Sequence, residues 1–247
     1  MRIDVISLFP ELLEAVLPYG MVGRAQARGH LQVQIWNPRT YTQDVHHTVD
    51  ARPYGGGPGM VLKFAPVVAA IRAAQATATP RACTVYLTPA GRPLTQATVR
   101  QWAQQPRLLL VAGRYEGIDE RIVRREVDQE CSLGDYVLSG GELPALVLIE
   151  ALARLLPGVL GDAASAAQDS FEPWLDYPHY TRPEEVEGLR VPDVLLGGHH
   201  AQVARWRHKQ ALGRTWQRRP DLLAVRPLTS EEQQLLAEFQ RESAQPD

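Results

Sequence analysis

Three short segments of the chain set glycine or proline beside polar groups directly after an apolar run: "YLTPAG" (Tyr86–Gly91), "VAGRYEGID" (Val111–Asp119) and "SLGDYVLSGGELP" (Ser132–Pro144). The last runs into the start of an apolar helix, where unpaired backbone amides attract anions. Yet these segments carry Glu116, Asp135 and Glu142 and no lysine. Acids so placed repel a di- or triphosphate. Neither a Gly-x-x-x-x-Gly-Lys-Ser/Thr phosphate loop nor a Gly-x-Gly-x-x-Gly turn between strand and helix is present. A ligand with a neutral base, a ribose and a positive centre suits the set better, because backbone groups read the base edge and the acids favour the cation. S-adenosylmethionine, with its sulfonium and ammonium, has that description, although residue types alone do not name it uniquely. One glycine loop commonly makes only a turn. Three in one sheet favour a composite pocket.

Other residues admit a plain reading beside a chemical one. "ARPYGGGPGM" (Ala51–Met60) is either a mobile surface loop or a lid whose backbone approaches a flat base. Arg154 follows Glu150 by four residues within an apolar helix, the favourable order for an intrahelical ion pair. Asp169, in "QDSF", fits a helix cap or a turn. Spacing alone makes neither of them catalytic. Residues 201–220 hold Arg205, Arg207, Lys209, Arg214, Arg218 and Arg219 with no acid among them, interleaved with Trp206 and Trp216. Such tryptophans are usually core. Arginine with aromatic rings also suits phosphate contact and base stacking in folded RNA.

The elements that must position these groups follow from periodicity. Apolar, strand-like runs at "RIDVISLF", "LQVQIW", "CTVYLTP", "RLLLVAG" and "DQECSLG" alternate with helical patterns near Pro10–Leu17, Phe64–Ala76, Thr95–Gln104 and Ile118–Glu126. That alternation predicts an α/β layer fold with a mostly parallel sheet, whose strand ends bind ligand. It stops at "GDAASAAQDS" (Gly161–Ser170), which reads as a linker. Helical patterns near Ala201–Leu212 and Ser230–Glu242 then predict a small, mainly helical second domain. The boundaries expected are residues 1–160, a linker over 161–174, and 175–247.

With 247 residues, 45% of them hydrophobic, the chain can bury one sizeable core and a smaller one. A net charge of -2 does not mark the whole chain as a nucleic-acid binder, so the local basic stretch carries that signal. Two cysteines without metal-ligand spacing fit a reducing compartment. The N-terminus has an acid at position 4 and too short an apolar stretch for a signal peptide. Leu143–Leu160 is long enough for a membrane span, but Glu150 and Arg154 inside it argue for a buried helix. A cytoplasmic protein is expected.

The segments "FPELLEAVLPYGMVGRAQARG", "RPYGGGPGM", "GRYEGIDERI", "SLGDYVLSGGELPAL", "PGVLG", "DSF", "PHYTRP" and "RWRHKQALGRTWQRRPDLL" resemble the bacterial tRNA (guanine-N1-)-methyltransferase family, in that family's order and over nearly the whole chain. The resemblance implies a SPOUT-type α/β domain with a C-terminal trefoil knot, which periodicity does not reveal. It implies a homodimer with active sites shared between chains, no membrane association, and methyl transfer from S-adenosylmethionine to the guanosine at tRNA position 37, 3′ of the anticodon. Carried over by motif, the methyl-donor pocket comprises Tyr86, Leu87, Pro89, Gly113, Tyr115, Glu116, Leu133, Gly134, Asp135, Tyr136, Val137, Leu138, Gly140, Gly141 and Pro144. Asp169 is the implied general base and Arg154 the catalytic arginine. Mg²⁺ is implied too, with Glu116 and Asp176 as candidates near it. Two rivals remain: a methyltransferase of this fold acting on a ribose hydroxyl or ribosomal RNA, and a non-enzymatic RNA-binding protein. Asp169 argues against the first, since a carboxylate suits a ring N–H better than a poorly acidic hydroxyl.

Overall fold

A computed structural model describes residues 1–161 and 169–244. The chain divides into two compact units, Met1–Ala163 and Ala164–Asp247. Most of the stretch read as a linker, residues 162–168, lies outside the described residues.

In the first unit, β1 (Arg2–Ile6), β2 (Gln32–Trp36), β5 (Cys83–Pro93), β6 (Arg107–Ala112) and β7 (Gln129–Ser132) form a parallel sheet of order β2-β1-β6-β5-β7. Two-residue strands β3 (Asp50–Ala51) and β4 (Val61–Leu62) pair antiparallel outside it. The central strand β6 is buried along its whole length, and its side chains alternate between two cores. Leu108 and Leu110 join Ile3, Val5 and Val85 beneath α1 (Pro10–Glu14), α2 (Gly20–Ala27) and α6 (Glu142–Leu155). Leu109 and Val111 join Ile6 beneath α3 (Phe64–Ala76) and α5 (Glu120–Glu126). Helix α4 (Gln96–Ala103) completes the first layer through Val99 and Trp102. A strand covered on both faces needs no polar alternation, hence the continuous apolar runs in the sequence.

A charged cluster locks the N-terminal ends of the strands. Asp4 and Arg107 are both almost fully buried and pair at 2.9 Å. Asp4 also accepts from Trp36 Nε1 at 2.9 Å and from Arg2 Nη2 at 2.7 Å. The Arg107 guanidinium donates to the carbonyls of Ala74, Gln75 and Ala78, which end α3. Carbonyls at a helix C-terminus are short of donors, and a buried cation there complements them and the helix dipole together. Removing Asp4 takes away the carboxylate that pairs with the buried Arg107, a loss of about 3–5 kcal/mol.

Sequence and structure differ at some boundaries for local reasons. The apolar run Leu143–Leu160 is helical only to Leu155, because Pro157 drives Leu156 to an extended ψ of 132°. Among the described residues, no helix is long and apolar enough to cross a membrane. The helical pattern near Pro10–Leu17 ends at Glu14, and α2 follows where none was anticipated.

The second unit packs α7 (His200–Arg218) against α9 (Ser230–Ser243), with α8 (Pro220–Leu223) at the turn and a hairpin of β8 (Glu185–Val186) and β9 (Leu189–Arg190). Trp174, Leu212 and Leu235 form its small core. Phe239 lies flat on Gly213, where an added Cβ would fall 2.3 Å from the ring. Helix α7 continues to Arg218, well beyond the periodic stretch Ala201–Leu212. Thr229 and Glu232 form a reciprocal capping box at the start of α9. Glu232 is also clamped by Arg226, at 2.6 and 2.8 Å, and approached by Trp174 Nε1 at 3.4 Å.

The Arg226 hydrogen bonds hold the Glu232 carboxyl down at about 2, from an ordinary 4.5. A depressed acid contributes stability that is full above its unfolded value and lost as pH falls toward its folded value. The melting point of the second unit should therefore drop between pH 4.5 and about pH 2, and Glu232→Gln should flatten that drop. Equal pH slopes for the two proteins, followed by thermal melts, would contradict the clamp.

Candidate functional site

The C-terminal ends of β5, β6 and β7 feed the three glycine- and proline-bearing loops. After Leu87 pairs with Cys131 the ladder breaks, and it resumes with Arg92 opposite Cys131 again, so Thr88–Gly91 is looped out. Ser132 Oγ fixes the turn after β7 by accepting from the Gly134 amide at 3.2 Å. The chain then crosses the end of β5 and docks on β6: Gly141 N donates to Gly113 O at 2.8 Å, and Arg114 bridges Gly140. The docking is backbone to backbone. A Cβ on Gly141 would lie 2.6 Å from Ala112 Cα and 3.0 Å from Gly113 N. Gly141 is buried against the protein's own strand and also lines the cavity described next.

These loops enclose a cavity of about 250 Å³. Every residue carried over as methyl-donor pocket lines it except Asp135, which is exposed. Thr88, Arg114, Gly117, Cys131, Ser132 and Ser139 line it as well. Most of these six lie inside the segments that drew attention in the sequence, but their types gave no separate signal. Gly113 is held against the Tyr86 ring, 2.9 Å from where its Cβ would be.

The charge of the pocket differs from a count of its acids. Glu142 is buried at the start of α6 and its carboxylate is fully engaged. It accepts from Ser7 Oγ and from Arg114 Nε, each at 2.9 Å. Arg114 in turn lies over the Phe9 ring at 4.4 Å and reaches Ser139 O at 3.4 Å. Glu142 thus braces the loop from behind, and Glu116 is the carboxylate lining the cavity. The Glu116 amide donates to Met60 O at 2.9 Å, and its side chain covers Gly59, with Oε1 2.3 Å from that residue's notional Cβ. The glycine-rich segment is tied to the pocket at this point, while Tyr54 within it is fully exposed. Burial pushes the Cys131 thiol up to about 11 and raises the Tyr86 phenol, so both walls stay neutral.

The other candidates are distributed over both units. Arg154 is half-buried in the last turn of α6. Asp169 is half-buried in the second unit, on a cleft of about 370 Å³ shared with Trp174, Arg207, His208 and Glu232. Of the basic candidates on α7, Arg205 pairs with Glu238 at 2.7 Å and Lys209 with Glu242 at 2.6 Å, both on α9. Just beyond α7, Arg219 pairs with Asp221 at 2.6 Å. Arg207 lies over the Tyr177 ring at 4.8 Å, Arg214 is half-buried and Arg218 exposed. Trp206 is half-buried and Trp216 is 40% exposed, so neither is the core residue that the spacing favours.

Neither metal candidate sits in a ligand cluster. Asp176 uses one oxygen for the Tyr177 amide, at 2.8 Å, and the other for His179 Nε2, at 2.7 Å. Glu116 belongs to the other unit. Among the described residues no group of three or more His, Cys, Asp or Glu could hold a metal ion.

Residues 1–225 match the model of the family described as tRNA (Guanine-1)-methyltransferase TrmD. Curated relatives named tRNA (guanine-N(1)-)-methyltransferase align over nearly their whole length. The protein of Methylococcus capsulatus is 60% identical over 243 residues, covering 98% of this chain and 97% of its own. That of Aeromonas hydrophila is 58% identical over 98% of both chains. That of Proteus mirabilis is 58% identical over 99% of this chain and 98% of its own.

The seat of Gly141 yields a direct test. Gly141→Ala overpacks a rigid backbone contact, so it should lower the stability of the first unit by about 1–3 kcal/mol. An unchanged melting point would show that β6 can yield there.

Proposed function

The chain belongs to the tRNA (guanine-1)-methyltransferase family, and from that premise we propose that it moves a methyl group from S-adenosylmethionine to N1 of the guanosine at tRNA position 37. The observation that carries this reading is the pocket at the ends of β5, β6 and β7. It is walled largely by loop backbone and neutral side chains, lacks lysine, and has Glu116 on its lining, while the charge of Arg114 there is met by Glu142. Such walls suit an adenosine with a cationic centre and disfavour a polyphosphate. S-adenosylmethionine supplies an electrophilic methyl on a sulfonium.

The remaining chemistry falls to the side chains. Guanine N1 carries a proton, and its lone-pair density is tied into the ring amide, so it is a poor nucleophile until that proton leaves. Asp169 takes the proton as the bond forms. Negative charge then spreads to O6, where the Arg154 guanidinium stabilises it. Holding N1, methyl and sulfur in line supplies the rest.

A single chain does not bring Arg154 to its own pocket. Pro144 lines the pocket and Arg154 stands ten residues along α6, a rise of about 15 Å, more than twice the reach of an arginine side chain. Leu143, Val147, Glu150 and Arg154 share one face of α6, and Leu143 and Val147 are 54% and 52% exposed. Antiparallel packing of that face on a second copy covers the apolar pair and carries Arg154 of one chain toward the pocket of the other. This reading includes a homodimer with shared sites. The same reading includes a trefoil knot, supported by the return of the chain across the end of β5 between β7 and α6. The second unit then contributes Asp169 and the basic residues of α7 for a cytoplasmic tRNA.

Methyl transfer to transcripts tests the assignment. Labelled methyl should enter a tRNA with guanosine at position 37 and not one with that base replaced. Asp169→Asn should lower transfer by at least about a hundredfold while both ligands still bind. Equal labelling of the two transcripts would refute the target, and near-normal turnover by Asp169→Asn would remove the base.

A further inference from the structure

The second unit holds a groove of about 840 Å³ that neither the methyl-donor pocket nor Asp169 explains. It lies between the Tyr177–Glu184 segment and α7 and is rich in rings. Tyr180 and Trp206 stand 6.3 Å apart at a tilt of 53°, and Tyr180 is 49% exposed. Tyr177 forms another wall, with the Arg207 guanidinium stacked over it. A half-exposed tyrosine costs a small folded unit apolar burial that it would otherwise use, and this unit has few residues in its core.

Among the residues that line the groove the charges have one sign left over. Glu184 is held by Arg190 at 2.8 Å, and Asp176 by His179 at 2.7 Å. Arg182 and Arg207 line the groove and pair with no carboxylate among the described residues. Aromatic faces flanked by unneutralised guanidinium groups match the chemistry of single-stranded RNA, in which bases stack on rings and phosphates meet arginine. Duplex RNA offers no exposed base face. We propose that this groove captures an unpaired nucleobase of the RNA substrate, stacked at Tyr180 and Trp206, with its flanking phosphates at Arg182 and Arg207. The inference rests on the tRNA reading above and adds a binding site separate from the reacting guanosine's own pocket.

The full-length protein is titrated with a single-stranded RNA and with a duplex of matched length and charge, and assayed with transcript tRNA. Tyr180→Leu keeps apolar volume but removes the ring. It should weaken single-stranded RNA binding at least about fivefold, raise KM for tRNA similarly, and leave the salt slope and kcat unchanged. Tyr180→Phe should restore both, and Trp206→Leu with Trp206→Phe should repeat the pattern should Tyr180→Leu fail to fold. Arg182→Gln should reduce the salt slope instead. Wild-type RNA affinity and KM in folded Tyr180→Leu would overturn the groove, even where the wild type methylates tRNA normally. Failure of the wild type to methylate any tRNA would instead strike the proposed function. Displacement of bound RNA from neither variant nor wild type by excess nucleotide monophosphate, alongside tight capture of a proline-rich peptide by Tyr180, would mark a protein-docking groove and equally overturn the assignment.

Discussion

A contact with no side chain in it organises the first unit. Where Gly141 meets Ala112 and Gly113, α6 rests backbone to backbone on the end of the central strand, at a distance that excludes a Cβ. Because that seat is fixed, the loop from Ser132 to Gly140 must arch over the end of β5, and Thr88–Gly91 must swing out of the ladder beside it. The cavity is the space left between these arches. Glu142, one residue past the seat, is held by Ser7 and Arg114 and fixes the loop from the protein side. The opposite end of the sheet is pinned by Asp4 and Arg107, so the strands are anchored at both ends and the site sits on the rigid one.

Helix α6 then carries the consequence outward. Its first turn lines the pocket and its last turn bears Arg154, and a rigid helix keeps the two apart. Leu143 and Val147 are exposed on the same face, the one through which the proposed dimer would join them. In the second unit charge is spent differently. Arg205 and Lys209 are tied to α9, which leaves Arg207, Arg182 and Arg218 as cations better placed to meet phosphate.

Much of the fold was legible because its strands are buried on both faces and its longer helices are strongly periodic. Phe64–Ala76 is recovered to the residue, and Thr95 and Asp119 cap the helices that follow them. Helix α2 was not legible. It starts at Gly20 and contains Gly23, which reads as a turn former, yet Gly23 is required because its Cβ would fall 1.9 Å from Pro18 O. The pocket loops were legible as segments, but the sharing of charge among them was not. Glu142 looked like a ligand group and is a buried brace, because Ser7 lies 135 residues away and no local pattern announces that pairing. The basic stretch had the same blind spot: its acids lie on α9, 33 residues on.

Subunit complementation tests most directly whether the proposed active site is assembled from two chains. Asp169→Asn and Arg154→Ala chains, each inactive as homodimers and each verified by melting to be folded, are unfolded together and reassociated. With Asp169 and Arg154 supplied by different chains, random pairing makes half the dimers mixed, and each mixed dimer has one intact site of two. Methyl transfer to tRNA should then return to about a quarter of the wild-type level. No recovery from verified mixed dimers would place both residues in one chain's site and contradict the account.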